Sequence, residues 1–177
     1  MSVAPLQRLS LDARYTVEPA ATASPGHLTD GLPLWNTGGP LPNYQVRWSA
    51  AALEDRPAAG SMRVKVGLEF GGSAEVCSAK AFVLRDTASS IDLPLNATVS
   101  IAGVVHTLAP TTKNDNAVNV MYVLLPDEAC TTAGFIEFEL SSRHGLGMAI
   151  CEVEAWGHRH HKDATSVACD RDGVLCD

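Results

Sequence analysis

Two short stretches constrain the fold of this chain more than any other feature. Residues 135–140, FIEFEL, alternate apolar and polar side chains, and after a break rich in Ser and Gly the alternation resumes in residues 149–156, AICEVEAW. Side chains of an extended strand point to opposite faces in turn, so a period of two marks a strand with one buried face. The pair is read as a strand, a loop and a second strand, the closing hairpin of a β-sandwich. Glu152 and Glu154 share one side of the second strand, with Cys151, Val153 and Ala155 on the other. That pattern predicts an apolar side entering the core and two carboxylates near the rim.

The remaining segments follow the same logic. Residues 61–70 form the clearest strand, with Met62, Val64, Val66, Leu68 and Phe70 on one face and Arg63, Lys65 and Glu69 on the other. Burying such side chains is worth about 1.5–3 kcal/mol each, which makes this a central strand. Gly71 and Gly72 are read as a turn, followed by a strand over 74–85. Residues 97–102 and 104–108 pair as a hairpin about Gly103, residues 117–125 form another strand, and 11–17 and 44–48 supply the first two. Ser49 is a candidate N-cap for a helical turn that Pro57 would stop. About eight strands, turn signals between them and no long helix point to an all-β fold, an antiparallel sandwich.

The chain has 177 residues, enough for one well-covered core. It divides into an arm (1–11), the sandwich (12–157) and a tail (158–177). A net charge of −7 with scattered Lys and Arg argues against a nucleic-acid or anionic-membrane surface, and no run approaches the ~18 apolar residues of a membrane span. No nucleophile elbow, zinc-protease pair or glycine-rich phosphate loop is present, so the expected role is non-catalytic. The five cysteines leave at least one thiol free. Cys151 is expected to be buried and inert, and Cys169 and Cys176 could bridge within the tail. Close histidines in the tail, His158, His160 and His161, have the character of a weak adventitious metal site.

The Pro- and Gly-rich segment 18–44 is a long loop whose His27, Asp30, Trp35, Asn36 and Tyr44 have the character of a binding rim. HLTDG at 27–31 followed by Trp35, the strand at 62–70, ATVS at 97–100 and ICEVEAWG at 150–157 resemble, in order and spacing, the discoidin or coagulation-factor type C family of galactose-binding-like jelly rolls. The resemblance spans residues 12–157. It implies an eight-stranded jelly roll whose loops at one end bind glycans, proteins or lipid head groups. It also implies a structural calcium ion held by Asp30 and Glu152, with carbonyls of the 28–37 loop completing the shell. The chain departs from the family in lacking a terminal cysteine pair and in carrying Met148 where a tryptophan is common.

The residues themselves leave alternatives open. Asp30 also suits a turn before Gly31, and Glu152 suits a solvent-facing strand position. Trp35, Tyr44 and Trp48 could stack on a sugar or plug the end of the sandwich. Asn36 lies beside them, and Arg143 and His144 are either donors to sugar hydroxyls or idle turn residues. The expected function is a binding protein on the surface of a phage or virus particle, a capsid decoration or tail-associated component that packs on other virion subunits or on itself and binds host carbohydrate. That expectation rests on a Met1 start without an export signal and on ends that, if ordered, neighbouring subunits would hold. The alternative is a calcium-dependent carbohydrate-binding module of a bacterial secreted protein, with an extracellular location.

Overall fold

The computed structural model describes residues 5–11, 13–21, 28–29, 46–54, 63–110, 118–143 and 145–159. Among them lie ten strands: β1 (Gln7–Arg8), β2 (Arg14–Glu18), β3 (Val46–Trp48), β4 (Arg63–Leu84), β5 (Asn96–Ile101), β6 (Val104–Thr107), β7 (Ala109–Pro110), β8 (Val118–Leu124), β9 (Thr131–Ser141) and β10 (Met148–Arg159). One short helix, α1 (Ala50–Glu54), follows β3. Its cap is the expected one, since the Ala52 amide donates to the Ser49 hydroxyl at 3.2 Å. No helix among the described residues is long and apolar enough to cross a membrane.

β4 organises the molecule. Along one edge it pairs with β2 at residues 65–69 and with β10 at 74–83; along the other it pairs with β9 and then β8. All these pairings are antiparallel, and β5 and β6 extend the network beyond β9. A straight strand of 22 residues would be about 70 Å long. Yet Ser141 lies opposite Arg63 and Ile150 opposite Val83, and the few residues from 142 to 147 that separate β9 from β10 can span at most about 25 Å. β4 must therefore fold back, bringing its two ends to one end of the molecule. It does so where its register with β9 skips between Glu69 and Ala74 and Gly71 takes φ 70°.

The result is an antiparallel β-sandwich, as the alternating sequence predicts, with the jelly-roll form that the family resemblance implies. Val64, Val66, Leu68, Ile136, Phe138 and Leu140 from one layer meet Val76, Ala79, Ala81, Val83, Ile150, Val153 and Ala155 from the other in a single buried core. On the outer face of the first layer Lys65 donates to Glu137 at 2.8 Å and Arg63 to Glu139 at 3.0 Å. The Phe135 ring covers Gly67 there, and a Cβ on Gly67 would come within 2.7 Å of that ring.

Three expectations are corrected. Gly71 and Gly72 do not separate two strands; they sit in a bend within one, because β9 runs past them on the same edge. β9 and β10 are not a hairpin, since each pairs with β4 and the loop between them crosses from one layer to the other. Cys151 does not share the core face with Val153. It is the extra residue of a bulge between Ile150 and Glu152 and joins a second cluster with Phe82, Leu84, Ile91 and Ala149.

Cys77 is likewise the extra residue where β4 passes from Ser78 opposite Trp156 to Val76 opposite Gly157, and it is bridged to Cys130. The spacing of an odd cysteine set does not reveal that pair. Cys151 is free and buried, as expected. Cys169 and Cys176, the tail histidines 160 and 161, and the outer parts of both ends lie outside the described residues, and with them the contacts on which a virion placement would rest.

Candidate functional site

Because β4 folds back, the connection from β4 to β5 and that from β9 to β10 meet at one end of the sandwich. Short backbone bonds fix them to each other. The Gly147 amide donates to Ser90 O at 2.9 Å and Leu95 N donates to Ser141 O at 2.8 Å, while Asp86 and Ile91 exchange N–H···O bonds of 3.0 Å within the first connection. Within the second loop Ser142 Oγ donates to Leu146 O at 2.6 Å, and Gly145 takes φ 75°. The Ser89 hydroxyl donates to the Asp86 carboxylate at 2.6 Å, and this bond holds the Asp86 carboxyl below its ordinary pKa.

This frame presents three charged side chains. Asp92 accepts from the Leu93 amide at 2.8 Å and lies between two arginines, with Arg85 Nε 3.4 Å from Oδ1 and Arg143 Nε 3.9 Å from Oδ2. Both arginine side chains are more than half exposed. Each guanidinium faces Asp92 through Nε, so the terminal amino groups are left for other acceptors. Planar guanidinium donors beside a fixed carboxylate suit a ligand with neighbouring donors and acceptors, the pattern of vicinal hydroxyl groups. The sequence singles out Arg143 as a candidate donor. It gives no sign of Arg85 and Asp92, which lie far from Arg143 in the chain, at the end of a strand and in a loop without a motif.

Trp48 has a structural role. It is fully buried, and its indole N–H donates to Pro19 O at 2.9 Å, so it plugs the sandwich and offers no face to a sugar. Trp35, Asn36, Tyr44, His144 and Asp30 lie outside the described residues. Glu152 is not at a rim: it is fully buried on β10 and forms a short ion pair with Arg8 of β1. Glu154, also buried, accepts from the Trp156 indole at 2.8 Å and lies 3.3 Å from Arg8 Nη1 and 3.8 Å from Lys80 Nζ, while Lys80 sits 5.5 Å from the Trp156 ring centre. The Glu152 carboxylate is paired with Arg8, and Asp30, the other residue expected to hold calcium, lies outside the described residues. Among the described residues no three His, Cys, Asp or Glu side chains form a metal-binding group.

No family model matches the chain, and no curated protein sequence does. Solved structures do. The lectin domain of lectinolysin complexed with Lewis B antigen superposes with a TM-score of 0.53 at 13% identity, over 86% of this chain and 98% of that one. Chitosan-binding module 1 of a chitosanase/glucanase from Paenibacillus sp. IK-5 gives 0.50 at 16% identity over 85% and 99%. The family 32 carbohydrate-binding module of Clostridium perfringens NanJ, solved with galactose, gives 0.50 at 12% identity over 86% and 99%. At these identities the likeness is one of fold, and the chain shares the jelly-roll architecture of these carbohydrate-binding and lectin domains across nearly the whole of each.

Proposed function

We propose that this protein is a non-catalytic carbohydrate-binding module that engages a neutral sugar through Arg85, Asp92 and Arg143. The observation that carries the reading is the Arg–Asp–Arg cluster held on two cross-bonded loops at one end of the sandwich. Asp92 serves as acceptor for sugar hydroxyls and orients both guanidinium groups, which donate to adjacent oxygens. Glycan-binding neighbours of the same fold support this choice of ligand class. The Cys77–Cys130 bridge supports an oxidising location outside the cell, and so favours a secreted module over a particle assembled in a reducing cytoplasm.

The test is a glycan array followed by calorimetric titration of the best neutral ligand. Arg85→Ala and Arg143→Ala should each weaken binding at least tenfold while the melting temperature stays within about 1 °C, because exposed ion pairs contribute little to stability. Unchanged affinity in both variants would remove the site, and an array without any bound glycan would remove the function.

A further inference from the structure

A cavity of about 530 Å³ lies at the bend of β4, at the opposite end of the sandwich from Arg143. Its origin is in the strand pairing. β2 and β10 share one edge of β4, but β2 pairs only as far as Glu69 and β10 begins at Ala74, so among the described residues that edge has no strand partner at residues 70–73. The gap is floored by Phe70 and Gly71 and walled by Leu11, Arg14, Glu69 and Arg159. Its volume falls within the roughly 300–1,000 Å³ of small-ligand sites. A Cβ on Gly71 would meet nothing within 4 Å, so the floor stays open.

The charges in the gap differ from those of the molecule. Arg14 lies opposite Glu69 in the ladder, and Arg159 lies opposite Ala74 on the far side of the gap. The described lining therefore carries two arginines and one glutamate, a net positive set on a protein of net charge −7. Arg159 Nη2 donates to Leu9 O at 3.4 Å, which steadies the side chain and leaves its other donors available. Phe70 is half-buried and packs against the core, so its ring is a fixed apolar surface.

We propose that this gap is a second binding site, for an acidic sugar residue such as a uronic acid. The Arg14 and Arg159 guanidinium groups hold the carboxylate, the ring lies on Phe70, and Glu69 accepts from ring hydroxyls. This site is separate from the loop-end site and does not require it.

The experiment titrates the full chain with galacturonic acid, its neutral methyl ester and inorganic sulfate. In the Arg143→Ala background, which disables the loop-end site, galacturonic acid should still bind, and adding the double variant Arg14→Gln/Arg159→Gln should weaken it at least tenfold with an unchanged melting temperature. Phe70→Ala should weaken the sugar and leave any sulfate binding alone. The methyl ester should bind at least tenfold more weakly than the acid. Equal affinity with and without the double variant in that background, or sulfate competing as well as the sugar, would overturn the proposal. Loss of galacturonate binding in Arg143→Ala itself would assign the ligand to the loop end instead.

Discussion

Glu152 is a carboxylate without solvent, and Arg8, itself only 14% exposed, is the cation that makes its charge tolerable. Removing one partner of a buried pair leaves the other charge uncompensated, at a cost of about 3–5 kcal/mol. Arg8→Ala should therefore destabilise strongly in urea unfolding, and adding Glu152→Gln should recover a good part of the loss. A single-variant loss below about 1 kcal/mol would show that the pair is not what holds β1 to β10. Cys151 tests burial in another way. Its apolar surroundings push the thiol up from 9.0 to about 12. Above pH 9 the unfolded chain releases this proton and the folded chain keeps it, so the unfolded state binds fewer protons and stability falls with rising pH. The fall is about 1.4 kcal/mol per pH unit and continues up to about pH 12. Cys151→Ala should lose less stability than wild type across that window, and native Cys151 should resist alkylation at pH 8.

At the level of elements, β4 needs several devices to serve two layers at once. The bulge at Cys77 turns that side chain out of the alternating pattern to meet Cys130, at the point where the edge of β4 changes partner from β8 to β9. The Leu125 amide donates to Cys77 O at 2.8 Å at the same junction. The bridge closes a loop with a sequence separation of 53 residues. By loop-closure entropy it stabilises the fold by about 4 kcal/mol. Cys77→Ala/Cys130→Ala should show a loss of that order in denaturant, and reductant should move the wild-type midpoint toward the variant. A midpoint insensitive to reductant would mean the bridge does not form in solution.

For the whole molecule, the bend of β4 makes both layers depend on one strand, so neither can melt alone. Thermal unfolding is expected to be a single transition, with tryptophan fluorescence, to which the buried Trp48 contributes, and far-ultraviolet circular dichroism giving the same midpoint. Separate midpoints would show that the two layers unfold independently.

How much of this was readable in the chain follows from the range of the forces involved. Strand positions such as Val64, Val66 and Leu68, the Gly103 hairpin and the Ser49 cap are set by side-chain alternation and by contacts a few residues apart, and the sequence alone determined them. Arg143 was legible as an exposed donor in a turn. Pairing was not legible: an alternating pattern says which face is buried but not which strand lies alongside, so β9 and β10 looked like a hairpin. Trp48 and Glu152 carry the same chemistry whether exposed or buried; only the packing of β10 against β3 and β1 decided for burial. Arg85 and Asp92 meet Arg143, and Arg14 meets the gap near Arg159, only because β4 folds back. That fold depends on closing loops across the whole chain, a tertiary event that no local pattern encodes.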